Sequence, residues 1–501
     1  MPYAISPRLS NKWFILILVM LMYLPVSIDA TILHVAIPTL TYSLNASSNE
    51  VLWIMDIYPL IMSSFLLPMG VLCDKYGVKN ISLVGSVIFG ISSAAGAMSD
   101  SALILIISRG FLAVGAAMIL PATLATVRLT FLNNQERAIA LGIWSTIGTA
   151  GAALGPLVGG VLLEYFPWQS VFLINIPICI LVTGLSAGMK IRMVEKKSKK
   201  INAIDPFLLI ISILIIIFSV KSIFNQRESP ALISFLFFGI FLGFLFLRKQ
   251  LRSSGSMIDV NLFRNKHILA GLILALFSMI SLSGFEFFII QELQLAIGMS
   301  ALNASLFLLP FIMSSCISGP FVGWALGKTG LRSIAFMGVF LSSVSFAGLS
   351  LTHISSHKLQ AWGMMVLLGF SIEAAMLAST TAIMNATPAA KGGEAGAIEG
   401  MAYEFGAGIG IVIFGLMTSS FYTNNIKAYL GGNDIPVTQL ASLSETIKYA
   451  ESLSGVDKEK LIALAKQSLL DSHFYIMFIA SIFLLILSVI IFFLLKPRAY
   501  R

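Results

Sequence analysis

The chain has 501 residues, of which 57% are hydrophobic and only 11% are charged, and its formal net charge is +9. Soluble globular proteins contain about 45–50% apolar and about 25% charged residues. The composition therefore excludes a soluble globular fold and indicates a protein built from membrane-spanning helices.

The apolar segments predict an all-α polytopic membrane protein with about fourteen transmembrane helices, because a spanning helix needs about 20 apolar residues. The predicted spans cover residues 13–37, 51–72, 81–99, 102–127, 138–163, 169–190, 205–223, 231–248, 267–291, 302–326, 333–352, 359–384, 393–420 and 473–495. The first span contains Asp29 and is not followed by a small-residue cleavage site, so we expect a spanning helix rather than a removed signal peptide.

Basic residues set the expected orientation. Most of the 32 lysines and arginines fall in loops on the side of the N-terminus if the spans alternate. The positive-inside rule then predicts that both termini are cytoplasmic. The basic cluster at 196–200 directly follows a predicted span, so we interpret it as an anchor on anionic membrane lipid and not as a nucleic-acid site.

An internal repeat predicts the domain organisation. The loop after the second span contains Gly70, Asp74, Lys75, Gly77 and Lys79. The loop at 323–332 repeats glycine, base, glycine and base at the same four positions, at an offset larger than six helices would give. We therefore expect two halves around a midplane site, as in alternating-access transporters. The predicted divisions are an N-terminal six-helix bundle at 1–190, a two-helix insert with basic cytoplasmic linkers at 191–265, and a C-terminal six-helix bundle at 266–501 with an extracytoplasmic hairpin at 421–472.

The sequence does not predict nucleotide binding, metal binding or catalysis. Residues 323–329 resemble a phosphate-binding loop, but three residues separate the two glycines where that loop needs four, so neither nucleotide binding nor an ATP-driven pump is expected. Four histidines lie at predicted helix ends or in loops, namely His267, His353, His357 and His473. The three cysteines, Cys73, Cys179 and Cys316, are far apart and are expected to be free thiols. The sequence predicts no metal site, no cofactor and no enzyme activity.

Six carboxylates lie inside the predicted spans: Asp29, Asp56, Glu286, Glu373, Glu399 and Glu404. A charge at mid-bilayer costs about 2.5–3.5 kcal/mol on insertion scales, and Arg109 is the one cation expected at comparable depth. Carboxylates in a low-dielectric cavity can hold protons and attract organic cations. This combination is what a proton-driven cation exporter needs.

Two of these acids have aromatic neighbours. Asp56 lies between Trp53 and Tyr58, a setting suited to a delocalised cation, although Asp56 could instead be a helix-start residue near the outer interface. Glu286 is flanked by phenylalanines and is either a substrate-binding acid or an acid satisfied by a neighbouring helix. His34, five residues after Asp29, is expected to be a hydrogen-bonded structural histidine and not a proton relay.

Glu399 and Glu404 are five residues apart, about 140° around a helix, so they cannot share one face. Glu399 stacks with Tyr403, one turn on, whereas Glu404 continues a row of small residues that includes Gly400 and Gly408. We expect one acid at a packed seam and the other toward the cavity, and the sequence leaves open which of them binds substrate.

The fifth span carries a more specific motif. It contains Pro156, which bends a helix, within a run of close-packing glycines at Gly148, Gly151, Gly155, Gly159 and Gly160. Together with Asp74 in its loop, this motif resembles the antiporter signature of major facilitator drug exporters. Four further stretches resemble the fourteen-helix drug:proton antiporter branch, at 28–38, 52–58, 168–177 and 258–264. Val78, Leu112 and Ala113 depart from the usual pattern of that branch. Within the branch, the chain looks closest to methyl viologen and quaternary ammonium resistance exporters.

This resemblance implies the major facilitator fold in a 6 + 2 + 6 arrangement, in a bacterial cytoplasmic (inner) membrane. It implies a proton-coupled antiporter that exports lipophilic mono- and divalent cations such as quaternary ammonium compounds, biguanides, methyl viologen and dyes. The proton motive force would drive export, and a monomer is expected. An exporter of a cationic metabolite such as a polyamine, or a lipid flippase on the same fold, stays open.

The resemblance also implies residue roles. Helices 1 and 4 lie together, so Asp29 would pair with Arg109 and couple proton binding to conformation. Asp56 would face the cavity and bind the substrate cation with Trp53, Tyr58, Glu286, Glu399, Tyr403 or Glu404. The hairpin at 421–472 is either a lid over the exit or a passive surface excursion.

Overall fold

The computed structural model describes residues 12–131, 133–187, 204–224, 230–252, 260–354, 356–387, 392–430, 437–452 and 456–495. These residues contain α-helices and short 3₁₀ or π turns. The helices are α1 Lys12–Ser43, α2 Ser48–Tyr76, α3 Val78–Ala97, α4 Ala102–Thr130, α5 Asn134–Tyr165, α6 Ser170–Leu173, α7 Asn175–Ala187, α8 Ile204–Phe224, α9 Pro230–Arg252, α10 Lys266–Gln291, α11 Ala301–Phe307, α12 Leu309–Thr329, α13 Leu331–Ser350, α14 Lys358–Ala386, α15 Gly392–Leu430, α16 Leu443–Glu451 and α17 Val456–Leu494.

Eleven stretches of the described helices are long and apolar enough to cross a bilayer. The last two, α15 and α17, extend well beyond the predicted spans, which end at 420 and begin at 473. Polar residues stop the apolar run there, but they do not stop the helix. Much of the segment 421–472 is therefore made of continuous extensions of α15 and α17, and α16 lies between them.

The helices form two groups that share most of their internal contacts. In the first, α1 packs against α4, α5 and α7, while α4 also packs against α2 and α3, and α3 packs against α7. In the second, α10 packs against α14, α15 and α17, while α14 also packs against α12 and α13, and α13 packs against α17. Two further long helices, α8 and α9, pack against each other, and α8 contacts α2.

Glycines allow the same close helix crossing in both groups. A Cβ at Gly115 of α4 would lie 2.8 Å from the backbone nitrogen of Phe89 in α3. A Cβ at Gly338 of α13 would lie 2.8 Å from the backbone nitrogen of Ala375 in α14. Each group therefore depends on a backbone approach that a larger residue would prevent.

The repeated loops also share a backbone conformation. Gly77 joins α2 to α3 with φ of 88°, and Gly330 joins α12 to α13 with φ of 81°. Both have extended ψ, a combination that residues with a Cβ rarely adopt. In each case the glycine N–H donates to the carbonyl four residues earlier, that of Cys73 or Leu326.

We call the end of the molecule where these two turns lie the turn end, and the opposite end, where α1 ends and α16 packs, the α16 end. Hydrogen bonds join the two helix groups at the α16 end. Ser305 Oγ donates to the Pro156 carbonyl at 2.6 Å, and Gln294 Nε2 donates to the Val35 carbonyl at 2.9 Å. The two groups are thus held together at the α16 end in this conformation.

Candidate functional site

A buried ion pair lies at the centre of the first helix group. Arg109 Nη1 donates to Asp29 Oδ2 at 3.4 Å, and both residues are 1% exposed. Asn175 Nδ2 donates to the other Asp29 oxygen at 3.3 Å and to Ser93 Oγ at 3.1 Å. Side chains from α1, α3, α4 and α7 therefore meet around one carboxylate, and the structure brings together the two residues that sequence analysis paired.

Arg109 also contacts α2. Its guanidinium lies over the Tyr58 ring, 5.0 Å from the centroid. Asp56 is buried on the same helix, and its charge acts on Arg109 more weakly than that of Asp29. Asp29 is therefore the carboxylate that pairs directly with Arg109.

The predicted aromatic-plus-acid group of α2 does not share one surface. The Tyr58 ring lies under Arg109, whereas the Trp53 ring lies 6.1 Å from the Phe218 ring of α8. Trp53 and Tyr58 are five residues apart, which is about 140° around a helix. The two aromatic rings therefore do not form one binding face.

Glu404 of α15 faces the first helix group across the interface. Its charge acts on Tyr23 of α1 and Tyr58 of α2. Its carboxylate has no hydrogen bond or ion pair with the described residues and is half-buried. An acid in this position can bind a cation that enters between the two groups.

An aromatic pair lies beside this acid. The Tyr23 ring stacks on Trp144 of α5 with centroids 4.8 Å apart and planes 10° from parallel. Trp144 Nε1 donates to Thr123 Oγ1 at 3.2 Å, which fixes the indole. Sequence analysis did not predict a role for Tyr23 or Trp144, because neither residue has an acid near it in the chain.

Glu399 has a different environment from Glu404. Thr380 Oγ1 donates to Glu399 Oε1 at 2.6 Å, and Tyr403 OH donates to the same oxygen at 2.9 Å. Glu399 is buried at the seam between α14 and α15. The seam acid is therefore Glu399, and the acid that faces the other helix group is Glu404. The glycine row beside Glu404 packs on α2, where Gly400 approaches Leu66.

Glu286 lies opposite His34 across the interface between α10 and α1. The two side chains are buried, and Nδ1 of His34 is 3.2 Å from Glu286 Oε2, although the ring is not oriented for a hydrogen bond. Glu373 of α14 is half-buried, and its charge acts on the thiol of Cys316 in α12. Of the two alternatives for Glu286, this conformation places it against a neighbouring helix.

The antiporter motif of α5 is a surface that holds α1. An added Cβ would lie 2.0 Å from Thr31 Oγ1 at Gly155 and 2.6 Å from Ser27 Cβ at Gly151. The glycines that face α1 in this way are Gly148, Gly151, Gly155 and Gly159. Thr31 Oγ1 also donates to the Ala152 carbonyl at 2.6 Å. The motif thus fixes the helix that carries Asp29.

The last residues of the same motif contact the other helix group. A Cβ at Gly160 would lie 2.7 Å from Ser305 Oγ and 3.0 Å from the Leu302 Cα. Pro156 has no backbone donor, and its carbonyl accepts the hydrogen bond from Ser305. The motif therefore lies between α1 and α11, where the two groups meet.

The loop motif is partly described. Gly70 lies near Pro121 of α4, Gly77 forms the turn, and Lys75 Nζ is 5.1 Å from the ring centroid of Tyr76. Lys79 is the second residue of α3 and has a partner. The side chain of Asp74 and the basic cluster at 196–200 lie outside the described residues.

Two buried titratable residues were missed by sequence analysis. Glu292 follows α10, and His473, which was predicted at a helix end, lies inside α17 because that helix begins at Val456. His473 Nδ1 is 2.6 Å from Glu292 Oε2. Sequence analysis recognises a helical pattern at 457–470 but does not join it to the last span, and the structure makes the two one helix with His473 in its interior.

The described residues contain no group of three or more His, Cys, Asp or Glu side chains that could hold a metal ion. Cys73 and Cys179 are buried free thiols, and Cys316 is an exposed one. The polar chemistry of the described chain therefore consists of carboxylates and their hydrogen-bond and ion-pair partners.

Comparison with known families identifies this arrangement. The profile of the Major Facilitator Superfamily matches residues 19–411. The chain belongs to this superfamily. This major facilitator protein is therefore a polytopic membrane transporter and not an enzyme.

Individual relatives are similar over nearly the full chain. The methyl viologen resistance protein SmvA of Salmonella typhimurium is 45% identical over 98% of this chain and 100% of its own length. The multidrug efflux pump LfrA of Mycolicibacterium smegmatis is 33% identical over 92% of this chain and 90% of its own length. A solved bacterial homologue of the human lysosomal transporter Spinster, at 17% identity, covers 98% of each chain with a TM-score of 0.68, so it shares the fold.

Proposed function

We propose that this transporter is a proton-coupled antiporter that exports lipophilic mono- and divalent organic cations by alternating access. The observation that carries the proposal is the buried ion pair of Asp29 with Arg109, faced across the interface by Glu404, which has no hydrogen bond or ion pair among the described residues. The resistance and efflux functions in the names of SmvA and LfrA favour drugs and methyl viologen as substrates.

The proposed arrangement is fourteen spans in a 6 + 2 + 6 order, with α8 and α9 as the inserted pair. The matching contacts of the two helix groups support it. We place the turn end and both termini in the cytoplasm, on the basic side of a bacterial inner membrane. The conformation described above is then closed to the outside.

Asp29 is the proposed proton site. The charge of Arg109 favours the ionised form of Asp29, and separation of the pair would remove that effect and favour protonation. Rocking of α1 relative to α4 would therefore change proton occupancy.

Glu404 is the proposed first contact of the substrate cation, with Tyr23 and Trp144 as its aromatic wall. A delocalised cation gains from an adjacent aromatic face as well as from the acid. A charge that crosses 100 mV changes in energy by about 2.3 kcal/mol. A divalent substrate therefore needs at least two protons to avoid working against the potential.

The test is transport in proteoliposomes with an imposed proton gradient and a pH-sensitive dye inside. Addition of methyl viologen or a quaternary ammonium cation is expected to trigger proton movement in the wild type, and Asp29→Asn is expected to abolish it. Glu399→Gln is the matched control, because glutamine can still accept the hydrogen bonds from Thr380 and Tyr403.

Cation movement without proton movement would contradict the antiport mechanism. If only a polyamine or another cationic metabolite triggers protons, the substrate class is wrong while the mechanism stands. Lipid-stimulated activity without proton exchange would instead favour a flippase.

A further inference from the structure

A buried pair of titratable residues lies outside the proposed transport site. Glu292 begins the π turn Glu292–Ala296 after α10, and His473 lies in α17. His473 Nδ1 is 2.6 Å from Glu292 Oε2, and His473 Nε2 is 2.9 Å from the Leu349 carbonyl oxygen of α13. Glu292 is 2% exposed and His473 is 5% exposed.

These two distances determine how many protons the pair holds. A carbonyl oxygen only accepts hydrogen bonds, so His473 Nε2 carries a hydrogen. If Nδ1 carried none and Glu292 were ionised, two lone pairs would face each other at 2.6 Å. A nitrogen–oxygen contact this short requires a hydrogen between the atoms. The pair therefore holds one proton more than a neutral ring beside a carboxylate, whichever residue carries it.

Loss of that proton would leave a buried charge without compensation. Neither residue has a lysine or arginine in ion-pairing distance among the described residues. A buried ionised carboxylate without a partner is costly. Deprotonation must therefore be accompanied by separation of the pair or by entry of water. Asp29 differs from this pair, because the adjacent Arg109 stays positively charged when Asp29 loses its proton.

Glu292 is the charged group that acts on the His473 ring. Titratable groups on the neighbouring elements have other partners or are exposed. Tyr422 of α15 donates to Thr446, and Glu445 of α16 accepts from the Ser48 backbone N–H. On α17, Asp471 accepts from Tyr429, and the ring of Tyr475 stacks on Phe421. Glu286 of α10 faces His34, and His353 after α13 is exposed. The pair is thus electrostatically separate from them.

The π turn connects this pair to the interface between the two helix groups. Two residues after Glu292, Gln294 Nε2 donates to the Val35 carbonyl of α1 at 2.9 Å. The Ile297 N–H donates to the Glu292 carbonyl at 3.0 Å and closes the turn. π turns within helices are rare and are frequent at functional sites. Movement of Glu292 away from His473 would therefore move the segment that holds α10 against α1.

We propose that Glu292 and His473 form a second proton-binding site, and that its proton holds the α16 end closed. Loss of the proton separates the pair, shifts the π turn and breaks the contact of Gln294 with α1, which favours opening. The proposal depends on the proposed function only for the use of this opening in transport, since the effect of the proton needs no substrate.

The test follows how far the two helix groups separate at the α16 end as pH changes, in the absence of substrate. The measured quantity is the distance between two spin labels, one on each group. Met98 and Leu359 are exposed residues at this end, one in each helix group, and each is replaced by cysteine. Cys316→Ser removes the exposed native thiol, and Asp29→Asn removes the proposed transport proton site. The protein is reconstituted in lipid nanodiscs and measured from about pH 5 to pH 9.

We expect the label distance to lengthen as pH rises in this background. Glu292→Gln should remove the shift and keep the short distance at every pH, because the amide cannot ionise and its NH₂ can donate to His473 Nδ1. Gln294→Ala keeps the pair but removes the contact with Val35, so it should favour the long distance at lower pH. Tyr422→Phe is the matched control, because it removes one buried hydrogen bond without a titrating group and should retain the shift.

Two results would overturn the proposal. One is a pH-dependent lengthening that persists in Glu292→Gln, and the other is no lengthening in the Asp29→Asn background. Glu292→Gln is close in shape to the wild-type side chain and keeps a donor for His473, so we expect this variant to fold. Absence of drug-driven proton movement in proteoliposomes would contradict the proposed function without affecting this result.

Discussion

The two helix groups stabilise their buried carboxylates in different ways. In the first group, Asp29 pairs with Arg109, whose charge is permanent, and also accepts a hydrogen bond from Asn175. In the second, Glu292 faces a histidine, Glu399 accepts from two hydroxyl groups, and Glu404 has no partner among the described residues. A fixed cation makes carboxylate charge depend on helix separation, whereas hydroxyl and imidazole partners make it depend on protons and ligands. The two groups thus share a similar helix packing but stabilise the charge of their carboxylates through different partners.

The largest expected effect comes from removing the fixed cation. Arg109→Gln removes the ion-pair partner of buried Asp29 and should lower the free energy of unfolding by about 3–5 kcal/mol. Asp29→Asn should cost less, because the Tyr58 ring still lies over Arg109. Thermal unfolding of the purified variants measures both. If Arg109→Gln and the wild type were equally stable, Arg109 would not be what stabilises the buried carboxylate of the first helix group.

Gly155→Ala should have the next largest effect. Its Cβ would lie 2.0 Å from Thr31 Oγ1 and 2.9 Å from the Ile28 carbonyl, so α1 must move off α5. Overpacking of this kind costs about 1–3 kcal/mol. Transport should fall sharply while the protein still reaches the membrane. Gly363→Ala on α14 is the control, since nothing lies within 4 Å of its added Cβ, and matching losses in both variants would argue against a specific α1–α5 contact.

Glu404→Gln sharpens the comparison within one helix. Loss of a direct cation–carboxylate contact should weaken substrate binding by about 1.5–3 kcal/mol, roughly ten- to a hundredfold. Glu399→Gln should change binding much less, because its oxygen is already occupied by Thr380 and Tyr403. Equilibrium binding of a fluorescent organic cation measures both variants. The reverse order would mean that Glu399 is the substrate acid.

The smallest expected effect is that of Tyr58→Phe. The ring keeps its place over Arg109, and the lost hydroxyl makes only a long contact of 3.5 Å with the Val26 carbonyl. Stability should change by less than about 0.5 kcal/mol, as for most substitutions without a strong polar contact. Tyr58→Leu removes the cation–π interaction and should cost about 1–2 kcal/mol more. Thermal unfolding compares the two, and a large loss in Tyr58→Phe would show that the hydroxyl matters.

Sequence patterns predicted the helical membrane fold, because long apolar runs have few alternatives. The pairing of Asp29 with Arg109 was expected from the family resemblance, which places helices 1 and 4 together, and the structure has the two side chains in contact. The sequence left open which of Glu399 and Glu404 lies at the seam, although the hydrogen bond from Tyr403 to Glu399 matches their one-turn spacing.

Other features depend on packing between helices that are far apart in sequence. Trp53 contacts α8, and Tyr23 stacks on Trp144, and nothing near either residue in the chain specifies these partners. His473 was misplaced because polar residues before it ended the apolar run while the helix continued. A hydropathy pattern locates the membrane core better than it locates helix ends.

The central claim is that substrate and proton compete for the buried acids. The most direct measurement is the number of protons released when methyl viologen binds the purified protein, obtained by calorimetry in buffers of different ionisation enthalpy. We predict net proton release in the wild type, and less release in both Asp29→Asn and Glu404→Gln. Binding of the cation with no proton release in the wild type at any pH between about 5 and 9 would contradict the claim.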